Sequence, residues 1–395
     1  MIMRPETETR CRRWAEQRWQ LDSIIQAVGP DWDQGRTARL IRNCGALVAP
    51  DVAKLRRSVA KYDDLPGQFR VLAKKWEERG REAERGKHFV ASSEYYFVAV
   101  NLYLHAHWAI FEDDNQIKID LNNSKNVCMD NVIAHPPHPM ERVEIPFEGR
   151  SIPGILHLPS KGKPPYPAVV SLPGMDSVKE EIPYYGDPLL ERGIAVLRID
   201  GPGQGESNLR KIRVTAGNYA EAGKNAVTFL LSRSEVNKNA IGLFGTSMGS
   251  YWGLRTASAE PRLKAVAVSA TCLEPGMNSI FNTASPTFKM NYMYMSGYGD
   301  EAKFDKFAKT LSLKGLGAKI KSPVLIETGE FDELSPLQYT LELFGEIKSP
   351  KKLLIFKEER HSISDPRRNN MAADWLAERL AGKPIPRSTE PIEYI

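Results

Sequence analysis

A serine flanked by glycines follows a short apolar run near the middle of the chain. Residues 241–244 read Ile-Gly-Leu-Phe, and residues 245–249 then have the pattern G-x-S-x-G with Ser247 at the centre. At a strand-to-helix turn of this kind the serine takes a strained backbone conformation, so its neighbours two before and two after must be small. The free N–H groups of the following helix face any oxyanion formed there. The pattern predicts that Ser247 is a nucleophile, although a glycine turn with an idle serine is the alternative.

A serine hydroxyl is a weak nucleophile until a base takes its proton, so Ser247 requires a histidine and an orienting acid. In this arrangement the expected chain order is serine, acid, histidine. His361 is the only histidine after Ser247, and it follows the last apolar run of the chain. We therefore predict that His361 is the general base.

Three carboxylates share the loop after the apolar run 324–327, namely Glu330, Asp332 and Glu333. Asp332 is the predicted triad acid, because by analogy it is best placed at the carboxyl end of the strand. Glu330 and Glu333 are alternatives, since all three lie in one loop.

Two backbone N–H groups are needed to hold an oxyanion. One normally comes from the residue after the nucleophile, here Met248, and the other from the loop after the third strand. In that loop, residues 171–177, Met175 is the predicted donor. Pro173 stands where a histidine is often found, but a backbone donor does not depend on that side chain.

A glycine-rich turn at residues 201–206, Gly-Pro-Gly-Gln-Gly-Glu, follows another apolar run. A dinucleotide site would need G-x-G-x-x-G, but Glu206 stands in place of the last glycine, and no acid placed for a ribose follows a second strand. We interpret the segment as a tight structural turn beside the active-site loops. No cofactor is predicted.

The elements around these residues predict an α/β protein. Eight runs of strand-like sequence follow residue 140, at 142–147, 152–158, 168–172, 195–199, 241–244, 265–270, 324–327 and 352–356. The first two alternate like a β-hairpin, and the others are nearly continuous in apolar residues, as in strands covered on both faces. Helical stretches lie between most of them. The prediction is an eight-stranded, mostly parallel sheet in which Ser247 follows the fifth strand.

The chain before residue 134 is predicted to be helical, with apolar residues at helical spacing in residues 14–28, 37–47, 52–62, 67–85 and 87–111. The last stretch is rich in aromatic residues, including Tyr103, which suits a packing seam, a substrate wall or both. His88, His105 and His107 lie here without a third ligand at matching spacing, so no metal site is predicted. A proline-rich linker at residues 135–139 separates a helical domain, 1–134, from a catalytic domain, 141–395.

One interval of the catalytic domain is too long for a plain crossover. Residues 273–319 are rich in methionine and tyrosine, Tyr292 among them, and such side chains form an adaptable apolar surface. We predict a lid over the pocket, with ordinary core helices as the alternative.

Composition excludes several classes of protein. The 395 residues are 42% hydrophobic and 26% charged, and 54 lysines and arginines are scattered among 49 acids, so no nucleic-acid partner is predicted. The four cysteines contain no C-x-x-C pair, which argues against a zinc ribbon or a disulfide framework and fits a reducing compartment. The chain lacks an apolar leader and any run of about eighteen apolar residues, so we expect a cytoplasmic protein without membrane spans.

Three motifs together give a specific resemblance. Residues 172–181, 200–206 and 245–249 are similar to one branch of the α/β-hydrolases, which includes 2,6-dihydroxypseudooxynicotine hydrolase, fungal polyketide-shortening hydrolases and, more distantly, esterases like the fermentation-respiration switch protein. The likeness extends over nearly the whole chain, because those proteins also carry a helical amino-terminal domain and a tail like residues 371–376.

The resemblance implies an α/β-hydrolase fold with an α-helical cap domain and a triad of Ser247, Asp332 and His361. It implies cleavage of a carbon–carbon bond beside a ketone, or of an ester, with the small-molecule substrate bound between the two domains. An active-site glutamate of the pseudooxynicotine enzyme corresponds to Asp176, whose shorter side chain argues against the same substrate; a loop-capping aspartate is the alternative. A homodimer is also implied.

The sequence thus predicts a serine hydrolase acting on a bulky, partly aromatic or polyketide-like carbonyl compound, with Asp176, Tyr292 and Tyr103 as substrate-binding residues. The alternative is a hydrolase-fold binding or regulatory protein without turnover. A complete Ser-Asp-His order argues against that alternative, because a protein freed from catalysis would not need all three residues.

Overall fold

The computed structural model describes residues 1–33, 35–386 and 390–395. Internal contacts divide the chain into two compact units. The first consists of Met1–Met140 with Glu180–Tyr184 and Gly299–Glu301. The second consists of Glu141–Lys179, Tyr185–Tyr298 and Ala302–Ile395.

The described part of the first unit is helical. Its α-helices are α1 (Pro5–Glu8), α2 (Arg12–Val28), α3 (Arg36–Cys44), α4 (Ala49–Ser58), α5 (Leu65–Arg85), α6 (Phe89–Trp108) and α7 (Gln116–Ala134). Proline stands in the first turn of α1, α4 and α5, where its missing N–H costs no helical hydrogen bond. The Asn115 side chain caps α7 by accepting from two backbone N–H groups, and Gly29 and Gly45, both at positive φ, end α2 and α3.

The aromatic helix α6 packs closely on α5. A Cβ atom on Gly80 of α5 would lie 2.8 Å from the Tyr96 ring, so only glycine allows this approach. The Ser92 hydroxyl also donates a hydrogen bond to the Gly80 carbonyl, at 2.9 Å. The side of the aromatic stripe that holds Tyr96 is therefore a packing seam.

The second unit is built on one twisted sheet. Its described strands are β1 (Met140–Phe147), β2 (Arg150–His157), β3 (Tyr166–Leu172), β4 (Ala195–Ile199), β5 (Val236–Ser247), β6 (Ala265–Thr271), β7 (Val324–Gly329), β8 (Lys351–Phe356) and β9 (Ile392–Tyr394). They lie in the order β1-β2-β4-β3-β5-β6-β7-β8-β9. β2 pairs antiparallel with β4, and neighbouring strands from β4 to β9 are parallel. Every residue of β4, β6 and β7 is buried, which explains their continuous apolar sequence.

The predicted strand count was one too low. All eight predicted strands are present and Ser247 ends the fifth, but β9 adds a ninth by pairing Ile392 with Leu353 of β8. β9 has three residues, all exposed, and it directly follows Pro391. A strand so short and so exposed has no apolar pattern, and so the sequence contains no signal for it.

Helices lie between the parallel strands along the chain. They are α8 (Ile182–Glu191), α9 (Gly205–Leu209), α10 (Asn218–Ser232), α11 (Met248–Ala259), α12 (Pro286–Ser296), α13 (Glu301–Ala308), α14 (Leu337–Glu346) and α15 (Arg367–Leu380). The predicted lid interval, 273–319, contains a π turn at Ser279–Thr283 and α12, in which ten consecutive residues from Pro286 are buried. Its action as a lid stays a prediction.

No helix in the part of the chain that the structure describes combines enough length with enough apolar character to cross a bilayer.

Candidate active site

Ser247 occupies a strained turn between β5 and α11. Its φ is +54° and its ψ is −126°, a backbone conformation that costs a non-glycine residue on the order of 1–3 kcal/mol. A Cβ atom on Gly245 would lie 2.2 Å from the Gly249 carbonyl oxygen, and one on Gly249 would lie 2.1 Å from the Leu172 carbonyl oxygen. Both flanking glycines are therefore required by sterics, as the pentapeptide predicted.

Three residues that are far apart in the chain meet at this turn. The Ser247 Oγ lies 2.9 Å from His361 Nε2. On the other side of the ring, His361 Nδ1 lies 3.1 and 3.0 Å from the two carboxylate oxygens of Asp332. A carboxylate only accepts, so the proton of the neutral imidazole belongs on Nδ1, and Nε2 can then accept the Ser247 proton.

The other two candidate acids have different partners. Asp332 is held in place because its Oδ1 accepts from the backbone N–H groups of Leu334 and Ser335, at 2.9 and 2.8 Å. Glu333 accepts from the backbone N–H of His361 at 3.1 Å, and Glu330 accepts from the backbone N–H of Glu358 at 3.0 Å. Of the three carboxylates in the loop, Asp332 faces the imidazole, and its two neighbours hold the segment that carries His361.

The imidazole is buried beside a carboxylate, and the two effects oppose each other. Burial by itself lowers the pKa of His361, but the Asp332 carboxylate stabilises the imidazolium, and the net pKa lies well above its ordinary value. These surroundings therefore favour the protonated imidazole, a form that is able to act as a general acid.

The backbone around Ser247 provides the surroundings for an oxyanion. Met248 begins α11, whose amino-terminal N–H groups are the positive end of the helix dipole. The loop after β3 passes next to Ser247, because a Cβ atom on Gly174 would lie 3.1 Å from Ser247 Cβ. Met175, the next residue, is buried, and its carbonyl accepts from Asn291 Nδ2 at 3.4 Å.

Cys272 is a residue of the site that the sequence analysis missed. It follows β6, and its sulfur lies 3.7 Å from Ser247 Oγ, while its backbone N–H donates to Ser250 Oγ at 2.9 Å. The available signal was positional: β6 runs parallel to β5, so the residues after both strands reach the same edge of the sheet.

The predicted substrate-binding residues lie in different surroundings. Asp176 is half-buried in the loop after β3. Tyr292 is completely buried on α12, with its ring 5.2 Å from that of Phe281. Tyr103 belongs to the helical unit, where its hydroxyl donates to Glu77 Oε2 at 2.5 Å. Asp176 and Tyr292 thus belong to the same compact unit as Ser247.

Within residues 1–33, 35–386 and 390–395, no three histidine, cysteine, aspartate or glutamate side chains converge in a way that could hold a metal ion.

Comparison with known proteins gives consistent matches. A family model described as "Esterase FrsA-like" matches residues 68–381. The 2,6-dihydropseudooxynicotine hydrolase of Paenarthrobacter nicotinovorans is 32% identical over 258 residues, covering 62% of this chain and 67% of that protein. Esterase FrsA of Yersinia pestis (strain Pestoides F) is 24% identical over 304 residues, covering 73% of this chain and 71% of that protein.

A solved structure also matches over nearly the full length. The crystal structure of the 2,6-dihydroxy-pseudo-oxynicotine hydrolase superposes with a TM-score of 0.76 at 25% identity and covers 90% of this chain and 99% of that chain. The fold is therefore the α/β-hydrolase fold, as predicted.

Proposed function

Because the chain belongs to the FrsA-like esterase family and is an α/β-hydrolase enzyme, we propose that Ser247, His361 and Asp332 are its catalytic triad. The observation that carries the proposal is the continuous contact from Ser247 Oγ to His361 Nε2, at 2.9 Å, and from His361 Nδ1 to Asp332, at 3.0 Å. The strained turn at Ser247 supports it independently, since such strain clusters at functional sites.

In the proposed mechanism, Ser247 Oγ attacks a substrate carbonyl carbon as His361 Nε2 takes the hydroxyl proton. Asp332 keeps the other ring proton on Nδ1 and stabilises the imidazolium that forms. The backbone N–H groups of Met248 and Met175 hold the oxyanion. When the tetrahedral intermediate collapses, the leaving group departs with the proton from His361, and water then hydrolyses the acyl-enzyme by the same steps.

The bond broken is either an ester or a carbon–carbon bond next to a ketone, in a β-diketone or polyketide-like substrate with aromatic character. In carbon–carbon cleavage the leaving group is a carbanion or enolate, which must receive a proton. Protonated His361 or the Asp176 carboxyl would supply it, and the raised pKa of His361 supports the first.

Substrate binding is proposed to involve Asp176, Tyr292 and Tyr103, with residues 273–319 acting as a lid and the helical domain as a cap. The substrate is a small molecule, and the reaction as written needs no cofactor. We also propose a homodimer, from the resemblance to the family, and a cytoplasmic location, from the cysteine pattern of the sequence.

Labelling with a fluorophosphonate tests the nucleophile. The protein should gain one adduct on the Ser247 peptide, and Ser247→Ala should gain none. Ser258→Ala is the matched control, because Ser258 lies on the same helix and its hydroxyl bonds the Arg255 carbonyl at 2.7 Å. An unlabelled Ser247 in folded protein contradicts the proposal.

A substrate screen tests the bond type. Aryl β-diketones and p-nitrophenyl esters are incubated with the protein, and the products are identified by mass. Carbon–carbon cleavage gives a carboxylic acid and a ketone from the diketone, whereas an esterase releases p-nitrophenol and leaves the diketone intact.

A further inference from the structure

The glycine turn at residues 201–206 is fixed by a buried group of charges. Asp200, which precedes the turn, accepts from the backbone N–H of Lys179 at 2.8 Å and from that of Glu206 at 3.0 Å. Lys179 Nζ also contacts the carboxylates of Asp200 and Glu206. A Cβ atom on Gly205 would lie 2.2 Å from Asp200 Oδ2, so the chain closes tightly around this carboxylate. Since Lys179 lies in the loop between β3 and α8, this cluster joins the turn to that loop.

Gln204, inside the turn, contacts the same loop closer to the nucleophile. Its amide Nε2 lies 2.7 Å from the Gly174 carbonyl oxygen, 3.3 Å from that of Ser177 and 3.4 Å from that of Pro173. An amide NH2 group has two protons to donate, so it can hold the backbone on both sides of Met175. Gln204 is itself buried, which makes these bonds stronger than they would be in water.

Tyr219 of α10 connects Gln204 to the helix after the nucleophile. Its hydroxyl donates to Gln204 Oε1, and its ring stacks on Trp252 with centroids 4.2 Å apart and planes within 2° of parallel. Trp252 lies on α11, one turn after Met248. A Cβ atom on Gly201 would lie 2.2 Å from Tyr219 Cζ, so the turn needs glycine there to admit the tyrosine.

We propose that Gln204 and Tyr219 are positioning residues that set the distance between the two oxyanion donors. The inference rests on the proposed function, in which one N–H comes from Met175 in the loop and the other from Met248 on α11. A continuous path of contacts runs from the loop through Gln204, Tyr219 and Trp252 to that helix. Preorganised donors stabilise a transition state because they need no rearrangement when charge develops, and a misplacement of about 1 Å can cost about 100-fold in rate.

Two substitutions test the proposal. Tyr219→Phe removes the hydroxyl and keeps the ring on Trp252, and Gln204→Met removes the amide at similar length. Each should lower kcat by roughly 10-fold to 100-fold, with KM changed by less than about 3-fold, since the donors act on the transition state. Tyr62→Phe is the matched control: it removes a buried hydroxyl that bonds the Ala109 carbonyl at 3.0 Å in the helical unit, and kcat should be unchanged.

A second measurement separates positioning from general damage. Affinity for a boronic acid, which becomes a charged tetrahedral adduct on Ser247, should fall by the same factor as kcat, and the double variant should lose little more than the worse single variant. All assays are run below the thermal transition of each variant. If Gln204→Met does not fold, Tyr219→Phe alone tests the positioning role, because it keeps the aromatic stack on Trp252. Unchanged kcat in Tyr219→Phe, or a loss confined to KM, overturns the positioning role. Activity that survives Ser247→Ala overturns the proposed function instead.

Discussion

Glu327 should make the stability of this protein fall as the pH rises. Its side chain lies on β7 and is completely buried, and burial raises its pKa from the usual 4.5 to about 8, although Arg368 and Ser269 favour the charged form. Between these two pH values the native state holds a proton that the unfolded chain releases. The native state therefore binds more protons, and the free energy of unfolding decreases with pH in this window.

The size of the effect follows from the two pKa values. Each pH unit between them costs about 1.4 kcal/mol, so that on the order of 4 kcal/mol of stability is lost between pH 5 and pH 8. Glutamine has nearly the same shape as protonated glutamate and does not titrate. Glu327→Gln should therefore match the wild type at pH 5 and exceed its stability by several kcal/mol at pH 8.

Chemical denaturation at pH 5, 6.5 and 8 measures the free energy of unfolding of Glu327→Gln and of the wild type. In the difference between the two proteins, the contributions of all other titrating groups cancel. Glu342→Gln is the control, because Glu342 is exposed on α14 of the same unit and should show the same small difference at each pH. If the difference between Glu327→Gln and the wild type is the same at pH 5 and pH 8, Glu327 does not change charge in this window, and the reasoning from burial is wrong.

Three further predictions concern the site. Asp332→Asn should lower kcat by about 10³-fold to 10⁴-fold. Because Asp332 raises the pKa of His361, the rising limb of the pH profile of kcat/KM should also move to lower pH in this variant. A limb that stays in place contradicts this. Gly249→Ala should abolish fluorophosphonate labelling, because the new Cβ would lie 2.1 Å from the Leu172 carbonyl oxygen. The same clash should lower the free energy of unfolding by on the order of 3 kcal/mol. Normal labelling would show that the turn tolerates a side chain. Cys272→Phe should block labelling of Ser247, because the sulfur that it replaces lies only 3.7 Å from Ser247 Oγ, whereas Cys272→Ala should still be labelled. Normal labelling of Cys272→Phe would contradict this.

The resemblance to the family and the α/β-hydrolase fold were correctly predicted from the sequence. The sequence patterns located eight of the nine strands that the structure describes. The first two alternate, and the other six are nearly continuous in apolar residues because strands buried on both faces cannot contain polar residues at regular intervals. The steric demands of the turn at Ser247 are also local, since residues 245 and 249 are within two positions of it, and so the pentapeptide alone indicated them.

The remaining features depend on which strands and loops become neighbours. Strand order is not contained in the apolar pattern, so the approach of Cys272 to Ser247 and the pairing of β9 were missed. Three acids within four residues are equivalent in sequence, and only the folded loop turns Asp332 toward the imidazole while Glu330 and Glu333 bond backbone N–H groups.

Sequence and tertiary structure differ most in what they reveal about residues that position other residues. Ser247 and His361 could be predicted from the sequence as candidate catalytic residues, because the chemistry of a triad restricts residue type and chain order. Gln204 and Tyr219 could not, because glutamine and tyrosine are common residues whose significance here comes from the groups they touch. Gly174 and Gln204 are 30 positions apart in the chain, Gln204 and Tyr219 are 15 apart, and Tyr219 and Trp252 are 33 apart. Only the tertiary structure brings these residues together.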